Sequence, residues 1–412
     1  MHASISPQTR QALHVAVRLP HCLAVALLMR VAVVLDAVHP YSAGGRETRY
    51  RHIVSKLSEQ GHDVTYYTMN WWGGPQKIAE EGVNYQAIMG YAPLYKGERR
   101  SILHGVRFAL ACFRMLKYDF DVIEADHMPY LQLLPLRIVA SVRRVPLVVT
   151  WHELWGSDYW RQYLGPLGVI AAGIERLTTR LPGMIIAVSP QTHDRLLGVG
   201  VPPERVVTVV AGVDAEKIGR APTVPGFDLL FVGRLISHKG VDMVLDALSI
   251  LQGRGISPSF GVVGVGPDAD LLRRRVDELG LAASVTFLGH VQDDTSLYSL
   301  MKGSRLFLLP STREGFGLVV VEAAAAGLPT VTVSHPDNYA QRLIIEGVTG
   351  WVCEPTPAAL ADAIVLGLRT PLDLSDYGAT LLATHRWEVA GAQTAEAYVR
   401  AKQLRRSIAR AE

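Results

Sequence analysis

Two pairs of charged residues in the second half of the chain have the types and spacing of a site for a phosphorylated ligand. Arg234 and Lys239 stand in FVGRLISHKG, a strand-like run followed by a short loop and a helix start; Glu314 and Glu322 stand eight residues apart in STREGFGLVVVEAAAAGLP. Cations on a loop at a strand's carboxyl end neutralise a diphosphate, and the free N–H groups of the following helix donate to its oxygens. The competing reading is a solvated turn with two ordinary surface charges. Glu322 poses a separate problem. From Leu318 to Ala326 every other side chain is apolar, so the helix is expected to be buried on all sides. An unpaired buried carboxylate costs several kcal/mol. Glu322 therefore needs a partner from elsewhere in the chain, or from a ligand.

Other stretches compete for a role. DAVHPYSAGGRE places Gly44-Gly45 at a helix start after the first strand, where backbone can approach a ligand closely. In VTWHELWGSDYWRQYLG, His152 ends a predicted strand and faces the expected cleft, but the run lacks the second His of a zinc motif. Trp151, Trp155, Tyr159, Trp160 and Tyr163 around it read equally as core or as a platform for a sugar or lipid. The acidic triplets at Asp119–Asp121 and Asp268–Asp270 resemble a metal-binding Asp-x-Asp, yet one precedes a strand and the other opens a helix. Gly264-x-Gly266 has no third glycine where a dinucleotide fingerprint requires it. The basic end of the chain, Arg400 to Arg410, reads as a solvated helix end.

The elements that must position these residues fall into two runs. Strands are expected over 30–38, 62–69, 121–125, 146–151, 184–189 and 205–211, then over 228–233, 259–265, 285–290, 305–310, 330–333 and 350–353. Val/Ile/Leu-rich strands, each followed by an amphipathic helix, indicate parallel sheets covered on both faces. At 412 residues, 49% hydrophobic and 19% charged, the chain suits two cored domains, with ligands in the crevice at the carboxyl ends of the strands. A net charge of +3 gives no argument for nucleic acid. Cys22, Cys112 and Cys353 form no disulfide or zinc spacing, which points to a reducing compartment. Residues 1–28 carry a weak, interrupted apolar run and are expected to be an extension outside the fold, ahead of the strand opened by MRVAVVLDAV.

Taken in order, SAGGRE, VGRLISHKG, GVVGVGPD and REGFGLVVVEAAAAGLP resemble the retaining glycosyltransferases of family four, the group-one glycosyl transferases with the two-domain GT-B fold. The likeness runs from Met29 to about Trp387. It implies two doubly wound Rossmann-like α/β domains facing a central cleft: an acceptor-side domain at 29–211, a nucleotide-sugar domain at 212–387, and a helix and tail at 388–412 that cross back to the first domain. By the same resemblance Arg234 and Lys239, with Gly44, Gly45 and the main chain of Gly317, Leu318 and Val319, hold the donor diphosphate. Glu322 accepts from the ribose, Gly264 and Gly266 lie near the nucleotide, and Glu314, Gly315, Phe316 and His152 face the transferred sugar. Glu314 and His152 are the implied catalytic residues.

The implied reaction moves a sugar from a UDP- or GDP-linked donor to a hydroxyl of a glycan, a lipid-linked or a small-molecule acceptor, without metal or other cofactor. The expected site of action is the cytoplasm, with contact to the inner membrane face left open. One departure stands out: Ala211-Gly212-Val213-Asp214 replaces the family's frequent Asn-Gly-Val-Asp, which bears on hinge or acceptor contacts. The rival functions are a nucleotide-sugar epimerase, a nicotinamide oxidoreductase, which the loop after the first strand disfavours, and a non-catalytic binding protein.

Overall fold

The computed structural model describes residues 28–42, 44–80, 82–96, 99–291 and 293–411. Apart from Leu28, the expected extension lies outside them. The first sheet contains β1 (Arg30–Val34), β2 (Asp63–Met69), β3 (Lys77–Glu80), β4 (Val83–Met89), β5 (Val122–Asp126), β6 (Leu147–Trp151), β7 (Met184–Ala187) and β8 (Val206–Thr208), in the order β8-β7-β6-β5-β1-β2-β4-β3. The second holds β9 (Leu229–Val232), β10 (Phe260–Val263), β11 (Val285–Gly289), β12 (Leu306–Leu309), β13 (Thr330–Val333) and β14 (Gly350–Cys353), in the order β11-β10-β9-β12-β13-β14. Central strands such as LVVTW and LFLL are buried along their whole length, as strands covered on both faces must be.

Strand order fixes where ligands can bind. Each sheet reverses its winding once, between β1 and β5 in the first and between β9 and β12 in the second. Loops leaving the carboxyl ends of such neighbours diverge to opposite faces and open a crevice. The loops after β9 and β12 carry Lys239 and Glu314; those after β1 and β6 lead to Gly44-Gly45 and His152, and Asp126 ends β5 itself.

Helix α1 (Gly45–Glu59) covers one face of the first sheet, and α2 (Ile102–Cys112) and α3 (Leu133–Val142) pack side by side on the other. In the second domain, α4 (Leu318–Ala325) follows β12. The final helix, α5 (Trp387–Ala411), returns to the first domain. It packs on α1, stacks Trp387 on His52 with ring centroids 4.5 Å apart, and bonds the Tyr398 hydroxyl to the buried Glu124.

The first sheet is not wholly parallel. Strand β3 runs antiparallel to β4 at the edge, and between the two Gly82 has φ 77°. Its mostly exposed, charged KIAE face blunts an edge that would otherwise pair with another chain. Strand β4, VNYQAIM, is not among the expected strands; its Gln86 amide is satisfied internally by the carbonyls of Gln76 and Ala87. Strand β1 also stops at Val34, short of the expected Val38, and the chain bends so that Asp36 enters the cleft side of the domain.

Candidate functional site

On the second domain, the loop after β9 is held against the end of β12. Gly240 adopts φ 70°, and a Cβ there would lie 2.3 Å from the Pro310 carbonyl oxygen, so only glycine permits the approach. The His238 carbonyl accepts from the Thr312 N–H at 2.9 Å and from the Ser311 hydroxyl at 3.1 Å. This docking brings Lys239 Nζ to 2.5 Å from Glu314 Oε1. Arg234 sits exposed on the same loop. Burial first, then the positive charges of Lys239, Arg313 and Arg234, push the half-buried His238 down to about 3.

Glu314 is fixed by its main chain: its N–H donates to the Asp337 carbonyl and its carbonyl accepts from the Tyr339 N–H, both at 2.9 Å. Phe316 is buried, stacked between Tyr339 and His385, so its ring packs the core and any ligand contact falls to its backbone. Helix α4 begins after Gly317 without a side-chain cap, leaving the first-turn donors of Leu318 and Val319 to a ligand or solvent. The helix is not buried on all sides. Leu318, Val319, Glu322, Ala325 and Ala326 are only half-buried, and at helical spacing they form one open face. Glu322 stands on that face, where the Tyr298 hydroxyl donates to Oε1 at 3.3 Å. Burial, reinforced by the nearby Asp294 carboxylate, pushes Glu322 up to about 8 despite this bond.

Gly264 and Gly266 answer to packing. A Cβ on either would strike the carbonyl of Gly233 or Leu235, within about the length of a covalent bond and a half of it, so this loop buttresses the Arg234 loop from behind. Asp121 pairs with Arg30 and Asp119 with Arg143 at the entrance to β5, whereas Asp270 pairs with Arg273 on its own helix and the Asp268 N–H donates to the Leu235 carbonyl of the Arg234 loop. Among the described residues, no three His, Cys, Asp or Glu side chains cluster as metal ligands.

The first domain contributes a charged network that the sequence did not reveal. His152 Nε2 lies 3.0 Å from Asp126 Oδ2. Arg46, the residue after Gly44-Gly45, bridges Asp126 at 3.4 Å, Asp36 at 3.2 Å and Glu47 at 2.6 Å. Burial would raise both aspartates, but Arg46, Arg100 and the neighbouring histidines outweigh it; Asp36 falls to about 2, and Asp126 lies well below the carboxylate range. Gly44 is bonded within the first domain, its carbonyl accepting from the Thr48 N–H at 2.9 Å.

The two domains meet at these loops. A Cβ on Gly315 would lie 2.4 Å from the His152 carbonyl oxygen, so the Glu314 loop rests directly on the end of β6. Arg313 bonds Glu153 at 2.7 Å across the cleft, and its guanidinium lies over the rings of Trp155 and Tyr159 at 4.5 and 4.2 Å. Arg195 adds a second crossing pair with Asp337 at 2.6 Å. The aromatic cluster therefore divides: Trp151 and Trp160 are core, while Trp155 and Tyr159 grip an arginine from the other domain. The departure at Ala211–Asp214 sits at the hinge, where Gly212 presses on the Trp387 backbone and Asp214 caps a short helix through the Lys217 N–H.

Known proteins share both the sequence and the architecture. The family described as Glycosyl transferases group 1 matches residues 220–377, and Glycosyltransferase Family 4 matches residues 43–217. A glycogen synthase of Mycobacterium tuberculosis is 27% identical over 91% of this chain and 95% of its own length. A phosphatidyl-myo-inositol mannosyltransferase from the same organism is 28% identical over 71% and 78%. Among solved structures, the sucrose-phosphate synthase of Thermosynechococcus elongatus superposes with a TM-score of 0.73 at 20% identity, covering 93% of this chain and all of that one. Anabaena HepE in complex with UDP and glucose gives 0.69 at 20% identity, covering 89% and 98%. The shared architecture is the two-domain GT-B fold.

Proposed function

The chain belongs to the group 1, family 4 glycosyltransferases, and from that premise we propose that it transfers a sugar, with retention of anomeric configuration, from a nucleoside-diphosphate sugar to an acceptor hydroxyl. The observation that carries this reading is the Lys239–Glu314 pair at the second domain's winding reversal, beside the uncapped start of α4 and against His152. A diphosphate here meets Lys239, Arg234 and the first-turn N–H groups of α4. The ribose lies along the open face of α4, with its hydroxyls donating to Glu322. The sugar then points toward Glu314 and His152.

Breaking the bond from the sugar's C1 to the diphosphate oxygen leaves negative charge on the phosphate and an oxocarbenium-like sugar. Lys239, Arg234 and the α4 donors stabilise the departing phosphate, and Glu314 faces the developing positive charge. The acceptor oxygen bonds to C1 on the face the phosphate leaves, and the acceptor proton passes to the phosphate oxygen. With two cations at the leaving group, the reaction requires no metal. UDP- or GDP-linked sugars are the donors this reading favours. The acceptor enters from the side of Asp126 and Arg46.

A thermal-shift panel of UDP-, GDP- and ADP-sugars tests the proposal. Stabilisation of about 2.7 kcal/mol is expected at a hundredfold excess over Kd. No shift with any of them would remove the donor assignment.

A further inference from the structure

The outer surface of α2 and α3 is apolar where a surface helix is ordinarily polar. On α2, Ile102, Leu103, Val106 and Leu110 form one stripe, with Ile102 69% and Leu110 63% exposed. On the adjoining α3, Leu134, Ile138 and Val142 recur every four residues along the outer face. Phe113 and Leu116, on the turn after α2 that also packs on α3, extend the same surface. Contiguous exposed apolar side chains of this extent mark an interaction site.

The charges around the stripes select the partner. Segments 102–117 and 133–144 contain no Asp or Glu, but they contain Arg107, Arg114, Lys117, Arg137, Arg143 and Arg144. A chain of net charge only +3 has thus collected six cations in these two segments, of which Arg114 is turned to the Ile88 carbonyl. Asp119 answers Arg143 alone. The cationic character extends sideways: besides burial, Arg137 depresses Arg205, and Arg137 with Arg144 depresses Arg405 on α5.

We propose that the α2–α3 face docks on the anionic surface of a phospholipid bilayer, with the apolar stripes entering the headgroup region and the arginines meeting lipid phosphates. A second copy of the chain is the poorer fit, because a two-fold contact would bring these cationic rims together. Among the described residues no helix is long and apolar enough to cross a membrane, so contact is peripheral. Docking there sets the first domain's side of the cleft beside the bilayer, since His104 in the first turn of α2 lies 3.4 Å from Asp36. The inference does not depend on which donor the protein uses.

Flotation of the full chain with phosphatidylcholine vesicles, with and without phosphatidylglycerol, provides the test. Binding to the anionic vesicles alone, weakened by high salt, is expected. Arg137→Glu with Arg144→Glu lowers the partition by about thirtyfold or more. Leu110→Asp with Ile138→Asp also releases the protein, while its melting temperature stays unchanged because both side chains are exposed. Wild-type-like binding by both double variants would overturn the proposal. So would no binding to either vesicle, or self-association that the same substitutions abolish.

Discussion

Lys239 and Glu314 come from loops on the two sides of the second domain's winding reversal, and their side chains meet at 2.5 Å with little exposure to solvent. Each is the other's partner before a donor arrives. A diphosphate beside Lys239 competes with Glu314 for the ammonium, which frees the carboxylate to face the sugar. Lys239→Ala removes one charged hydrogen bond to phosphate, about 1.5–3 kcal/mol, and donor affinity falls roughly ten- to a hundredfold. Calorimetric titration with the nucleoside diphosphate alone checks this, and unchanged affinity would detach Lys239 from the phosphate.

Glu322 makes donor binding depend on pH. Its carboxyl is pushed up to about 8, so at neutral pH it is largely protonated before binding. Ribose hydroxyls that donate to it favour the ionised form, so binding releases a proton and affinity rises as pH increases from 6 to 8, by up to about tenfold per unit. Titrations in buffers of different ionisation heat read the proton directly. Glu322→Gln should lose both the proton release and the slope.

The same group affects stability in the opposite sense. Between its ordinary value of 4.5 and about 8, the folded state holds a proton that the unfolded chain has lost. Its contribution therefore weakens stability as pH rises through that window. In the absence of donor, Glu322→Gln should melt at or above the wild-type temperature at pH 8, by up to about 4 °C. A lower melting temperature at that pH would mean that Glu322 is stabilised by contacts other than Tyr298.

His152 is held by Asp126, so the two should fail together. Loss of the imidazole in His152→Ala removes a hydrogen bond to the sugar and lowers kcat by about tenfold. Asp126→Asn leaves the imidazole in place but unanchored and should produce a smaller loss in kcat, with the donor KM little changed. Variants that raise only KM would assign the pair to ground-state binding.

Transfer should survive EDTA, because Arg234 and Lys239 answer the leaving phosphate. Activity that disappears on chelation and returns with manganese or magnesium would show that the cations do not suffice.

The sequence carried the two sheets because central strands such as Leu147–Trp151 and Leu306–Leu309 are continuously apolar, and it singled out the loops bearing Lys239 and Glu314 because their glycines, cations and carboxylates lie close together in the chain. What it hid depends on distance. Arg313 and Glu153 each adjoin a residue singled out beforehand, Glu314 and His152, yet nothing local announces that they pair across the cleft. Asp126 and Arg46 are ordinary strand-end and helix-start residues until the order β5-β1 sets them together. The apolar run of α4 indicated burial, and only tertiary packing reveals that the face bearing Glu322 is open.

The two carboxylates carry the central claim, and steady-state kinetics at saturating acceptor tests it most directly. In the proposed donor pose Glu322 meets ribose, which does not react, so Glu322→Gln should raise the donor KM with kcat largely preserved. In the same pose Glu314 faces the sugar where positive charge develops, so Glu314→Gln should lower kcat more than it raises the donor KM. The reverse pattern, with Glu314→Gln changing only donor affinity and Glu322→Gln only turnover, would contradict the placement of the donor along α4.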